Sequence, residues 1–124
     1  MMEDEEEYGW YCGGSKTLAD RRVALSRAGV CFSVAQETEA SNAELFAKGS
    51  GGIVWEAADA LLRWLDVRYA PSGLKGCTVV ELGAGTGVCG LACAMLGAKR
   101  VILTDLPEVC SAIAPLFPTA GSSL

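Results

Sequence analysis

Three glycines at steps of two, Gly83, Gly85 and Gly87, stand between a short β-rich run and an apolar helical repeat. Glycine admits positive φ and carries no Cβ, so a strand can turn sharply into a helix here and expose main-chain atoms to a ligand. The run ahead of them, Thr78-Val79-Val80-Glu81-Leu82, reads as a strand buried on both faces. Behind them, Val88, Leu91, Ala92, Met95 and Leu96 recur on one helical face, and Gly97 falls where a helix end favours glycine. Val101-Ile102-Leu103-Thr104 is the next strand and ends in Asp105. Strand, glycine loop, helix and strand together predict a βαβ unit with a right-handed crossover. Pro107 then opens a short helix that Pro115 terminates, and 118–124 reads as a loose end.

Upstream, Val54, Ala58, Leu61, Leu62, Leu65 and Tyr69 follow steps of three and four after the break Gly49-Ser50-Gly51-Gly52. This predicts an amphipathic helix ending near Pro71, with Arg63 and Asp66 toward solvent and Trp55 and Trp64 beside the stripe. Val30–Ala35 reads as a strand, bounded by Gly29 and the polar run from Gln36 to Asn42, whereas 8–29 shows no clean period. The organisation expected is an acidic tail and irregular segment over 1–29, a partial α/β domain over 30–118 and a loose end over 119–124. At 124 residues a single domain with a modest core is the natural reading.

Charge narrows the function classes. The net charge of -5 arises from Glu3, Asp4, Glu5, Glu6 and Glu7, so the remainder is neutral and offers no basic footprint for nucleic acid. The acidic run reads as a solvated tail, with docking on a basic partner as its alternative. The N-terminus lacks the basic flank and apolar centre of a secretory signal, so a cytoplasmic protein is expected. Leu82–Ala98 carries no charge, but its glycines and threonine make it a loop and helix rather than a membrane span. Cys12, Cys31, Cys77, Cys89, Cys93 and Cys110 include no Cys-x-x-Cys, and histidine is absent; they are read as small buried thiols, with no metal site expected.

Two cofactor classes use such a loop. Gly85-Thr86-Gly87-Val88-Cys89-Gly90 satisfies G-x-G-x-x-G, with Asp105 at the offset of a ribose-binding acid, as in an NAD-type dinucleotide site. The longer string Glu81-Leu82-Gly83-Ala84-Gly85-Thr86-Gly87 resembles the first motif of class I S-adenosylmethionine-dependent methyltransferases. A carboxylate beside that loop favours a ligand's ammonium and sulfonium charges but repels a pyrophosphate.

Gly52-Ile53-Val54-Trp55-Glu56-Ala57-Ala58 before an apolar helix sharpens the likeness, and positions 30 to 110 resemble the methyltransferase-like family 21 of protein-lysine methyltransferases. The resemblance implies an incomplete Rossmann-like fold, S-adenosyl-L-methionine as cofactor and a protein substrate with a target lysine. It also implies that Gly83, Ala84 and Gly85 contact the cofactor through main chain, that Glu81 faces its charged end, that Asp105 binds the ribose diol and that Trp55 lines the pocket. Each side chain keeps a second reading: Asp105 as a turn cap, Trp55 as core, Glu81 as a brace of the loop.

The family's pattern stops after Ala114, and its Asp/Asn-x-x-Tyr/Phe element beyond the fourth strand has no counterpart. Asp66-Val67-Arg68-Tyr69 spells that pattern in the wrong place and reads as coincidence. No catalytic residue is assigned. The expectation is an incomplete gene product that is inactive alone, marginally stable and prone to associate through an open sheet edge. A non-catalytic interaction fragment and a dinucleotide-binding module are the alternatives.

Overall fold

The computed structural model describes residues 20–36 and 54–114. The acidic run 3–7, Cys12, the break 49–52, Pro115 and the end 118–124 lie outside them. The described residues form a mixed α/β structure in the order β1 (Asp20–Leu25), β2 (Val30–Ala35), α1 (Glu56–Tyr69), β3 (Thr78–Glu81), α2 (Val88–Met95), β4 (Arg100–Leu103) and α3 (Pro107–Ile113).

β1 and β2 are an antiparallel hairpin with Asp20 opposite Ala35 and Leu25 opposite Val30. β1 corrects the expectation that 8–29 lacks regular structure. Val23, Ala24 and Leu25 are consecutive buried residues, so the alternation by which a strand is recognised in sequence is missing. β3 and β4 are parallel, with Thr78 opposite Arg100 and Glu81 opposite Leu103. α2 connects them, as the glycine pattern predicts.

One apolar cluster joins the hairpin to both long helices: Val23, Leu25 and Val34 meet Leu62 and Leu65 of α1 and Val88, Ala92 and Leu96 in and beside α2. α2 ends in a Schellman arrangement, in which Ala98 N–H donates to Cys93 O and Gly97 N–H donates to Ala94 O, each at 3.1 Å. Gly97, at φ 97°, occupies the position that such an ending reserves for glycine.

Several burial assignments are corrected. Leu61 and Met95, placed on the buried stripes, are exposed, because each lies at the margin of its helix's contact face. β3 is not buried on both faces: Val79 and Glu81 are half-buried under α2, while Thr78 and Val80 point away and are exposed. Among the described residues Cys31, Cys77 and Cys110 are exposed, and only Cys89 and Cys93 are buried thiols.

Asp66 is the sharpest correction. It is buried rather than solvated, and its carboxylate accepts from Arg27 N–H at 3.0 Å, Ala28 N–H at 3.1 Å and Ser26 Oγ at 3.4 Å. Two turns earlier on the same face, Asp59 Oδ1 accepts from Arg21 Nη2 at 2.7 Å in a buried ion pair. A third fastener is Gln36, 3% exposed, whose Oε1 accepts from Val54 N–H at 2.9 Å. The hairpin is therefore fixed at two levels to α1 and at a third, through Gln36, to the segment leading into it, by polar groups that burial makes costly to leave unmatched.

Candidate functional site

The loop Gly83–Gly87 leaves the tip of β3 and enters α2, with positive φ at Gly83 (64°), Gly85 (54°) and Gly87 (75°). Two polar seams tie it to the neighbouring strand. Thr104 N–H and Oγ1 both donate to Glu81 O, at 2.9 and 2.8 Å, and Ala84 N–H donates to Thr104 O at 2.8 Å. Thr104 was not singled out from sequence as part of the site. Its signal is modest, a hydroxyl at the end of a strand where ladder partners run out.

Glu81 and Asp105 each hold one amide of the loop and helix start. Gly87, the N-cap of α2, has no side chain to satisfy the first helical amides, and Glu81 Oε2 reaches from β3 to accept from Gly90 N–H at 2.8 Å. Asp105 Oδ2 accepts from Gly85 N–H at 2.7 Å, and its Oδ1 accepts from Leu106 N–H at 2.7 Å. Both carboxylates thus have the bracing and capping parts set out as second readings, and each retains further acceptor capacity.

Gly90 permits the close approach of α2 to the sheet. A Cβ there would collide with Leu103 Cδ2 and stand 3.0 Å from Glu81 Oε2 and 3.1 Å from Val101 Cγ1. At Gly83, by contrast, a Cβ would meet nothing within 4 Å, so the space beside the first glycine is open.

Burial pushes the Glu81 carboxyl above the ordinary glutamate range; the Gly90 N–H opposes this and the Asp105 charge adds to it. The Asp105 charge thus disfavours ionisation of Glu81, and a cation beside the two would relieve this. Burial, with Glu81, Cys93 and Asp59 adding to it, pushes the Cys89 thiol up to about 12, so Cys89 is a neutral packing group rather than a nucleophile.

Trp55 is the N-cap of α1 and is 44% exposed, which does not fit a core residue. Ala58, one turn further on, places its carbonyl 4.0 Å from Cys89 Sγ in the first turn of α2. The starts of α1 and α2 are therefore side by side, with Trp55 at one and the glycine loop at the other. Among the described residues no group of three or more His, Cys, Asp or Glu side chains could hold a metal, and no helix is long and apolar enough to cross a membrane.

Residues 35–115 match the sequence model of a family described as lysine methyltransferase. Mouse protein N-lysine methyltransferase METTL21A is 40% identical over 74 residues, covering 60% of this chain and 33% of the mouse protein. Zebrafish (Danio rerio) METTL21A is 46% identical over 57 residues, covering 46% and 25%. EEF1A lysine methyltransferase 3 of Xenopus tropicalis is 42% identical over 65 residues, covering 52% and 28%. The alignments span a third or less of these relatives' own length. With the family match extending from the end of β2 to the last described residues of α3, this chain belongs to the lysine methyltransferase family.

Proposed function

We propose that this chain carries the cofactor-binding part of an S-adenosylmethionine-dependent protein-lysine methyltransferase, built as the first βαβ unit of a Rossmann-like fold with an amphipathic helix ahead of it. The observation that carries the reading is the pair of carboxylates, Glu81 and Asp105, at the tips of adjacent parallel strands on either side of the glycine loop. Such a cradle suits a cationic nucleoside. A pyrophosphate at the start of α2 would have to displace carboxylates from Gly85 and Gly90 and then face their charge, which disfavours the dinucleotide alternative.

The residues present fit S-adenosylmethionine by their donor set. Gly83, Ala84 and Gly85 would line its amino-acid end with main chain, Glu81 would favour the ammonium and sulfonium charges, Asp105 would take the ribose hydroxyls and Trp55 would wall the pocket. The bound cofactor supplies an activated methyl group on a sulfonium leaving group, so the protein needs chiefly to orient and to exclude water. A lysine side chain of a protein is the acceptor class that the family implies, and the cytoplasm the compartment. The relatives' greater length makes acceptor recognition a property we place outside the described residues.

Isothermal titration of the purified chain with S-adenosylhomocysteine tests the reading. Binding that Asp105→Ala weakens by about tenfold or more is the expected outcome for two lost ribose hydrogen bonds. Binding indifferent to Asp105→Ala removes the ribose role, and binding of NADH in place of S-adenosylhomocysteine restores the dinucleotide reading. A second reading, self-association through β3, is favoured by the exposure of Val80 (55%) and Leu82 (82%) beside a strand that has one partner among the described residues. Light scattering of the same preparation across a concentration series distinguishes it.

A further inference from the structure

We propose that Gln36 is a positioning residue for Trp55, holding the tryptophan at the mouth of the nucleoside pocket; the inference rests on the cofactor reading above. Gln36 follows the last residue of β2 and is buried, yet its side chain is polar. Its Oε1 accepts from the amide of Val54, 18 positions away in sequence and directly before Trp55.

The geometry leaves the Trp55 backbone little freedom. Val54 is 2% exposed, so its N–H has no access to bulk water and Gln36 supplies its acceptor. On the other side, Trp55 O accepts from Ala58 N–H at 2.9 Å and Asp59 N–H at 3.2 Å, the first bonds of α1. Trp55 itself is extended, at φ -92° and ψ 160°. Its Cα is thereby pinned between a side-chain clip from the hairpin and the start of a helix.

The hairpin is itself held to α1 by Arg21–Asp59 and by Asp66 on its turn, so the clip is mounted on a rigid support. An exposed tryptophan has several rotamers and a mobile cap residue would let its backbone wander as well. Fixing the backbone reduces the ordering that ligand binding must impose. Gln36 thereby contributes to affinity without touching the nucleoside.

The test uses the full 124-residue chain. Titration with S-adenosylhomocysteine is compared for the wild type, Gln36→Leu, Gln36→Glu, Trp55→Ala and the Gln36→Leu/Trp55→Ala double variant. Gln36→Leu should weaken binding by about tenfold, and Gln36→Glu, which keeps an oxygen for the Val54 amide, should recover most of that loss. In the Trp55→Ala background Gln36→Leu should have no further effect, because its action passes through the tryptophan.

Losses that multiply in the double variant, or wild-type affinity in Gln36→Leu while Trp55→Ala binds weakly, overturn the inference. Hydrogen exchange at the Val54 amide reads the clip without any ligand and should accelerate by about tenfold in Gln36→Leu; unchanged exchange overturns it too. If the wild type does not bind S-adenosylhomocysteine, the cofactor reading has failed, and the inference falls with it whatever the exchange shows. If Gln36→Leu does not fold, Gln36→Asn, which stays polar but withdraws the acceptor by one methylene, decides the matter: faster Val54 exchange there, with weaker binding, supports the role, and unchanged exchange refutes it.

Discussion

Replacing Gly90 by alanine sets two physical effects against each other, and the structure determines the sign. Gly90 is the third residue of α2, where helix propensity alone favours alanine by about 1 kcal/mol at most. Against that, the new methyl group would collide with Leu103 Cδ2 and crowd Glu81 Oε2 and Val101 Cγ1, at 3.0 and 3.1 Å. Overpacking of this kind costs about 1–3 kcal/mol, and the valine, stiff at χ1, has little room to yield. The expected net is a loss of about 1–2 kcal/mol, which corresponds to a thermal midpoint lowered by about 5–12 °C for a domain of this size. Urea and thermal denaturation followed by far-ultraviolet circular dichroism measure it. Leu103→Ala removes the collision partner, so most of the loss should vanish when Gly90→Ala is made in that background. Gly90→Ala more stable than the wild type, or equally damaging beside Leu103→Ala, would refute close approach as the reason for the glycine.

Two further outcomes are expected. Glu81 has a folded pKa above its ordinary 4.5, so as pH rises from there through the raised value the folded chain holds more protons than the unfolded one, and stability falls. Glu81→Gln keeps an acceptor for Gly90 N–H and removes this titration; its urea midpoint should fall less steeply with pH than the wild type's, while Asp59, also raised by burial, leaves a residual slope of the same sign in both. Identical slopes contradict the assignment. In peptide-mapped alkylation at about pH 8, Cys31, Cys77 and Cys110 should label first and Cys89 only on unfolding, since it is buried and its thiol lies near 12; early labelling of Cys89 would show that α2 opens far more readily than its packing implies.

Local chemistry made the centre of the fold legible from sequence. The spacing of Gly83, Gly85 and Gly87 requires a turn that few backbones other than strand-to-helix can use, and Gly97 and Pro107 mark helix boundaries through constraints on φ alone. The same local logic singled out Glu81 and Asp105, because acids beside a glycine loop have few uses. What it left undecided was their hydrogen-bond partners. Whether a carboxylate braces an amide or waits for a ligand depends on which backbone lies within 3 Å: Gly90 comes to Glu81 only when α2 packs back on β3, and Gly85 to Asp105 only when β3 and β4 pair.

β1, the burial of Asp59 and Asp66 and the clip at Gln36 belong to the tertiary structure. β1 lacks the alternation of a strand, and the three polar residues take their roles from partners 18 to 40 positions away; sequence periodicity reports only which face of an element is apolar, not what that face meets. A trace did exist: Asp59 and Asp66 are seven apart within the apolar spacing of α1, where two solvated acids would have been out of place. The sequence alone thus determined the glycine loop, the order of the elements around it and the acids at its edge, because these follow from backbone sterics and short-range pattern. Only the folded chain decided that those acids hold amides of the loop and of the helix start, and that Gln36 beside the hairpin accepts from the amide next to Trp55, because burial turns an ordinary polar side chain into an obligatory hydrogen-bond partner.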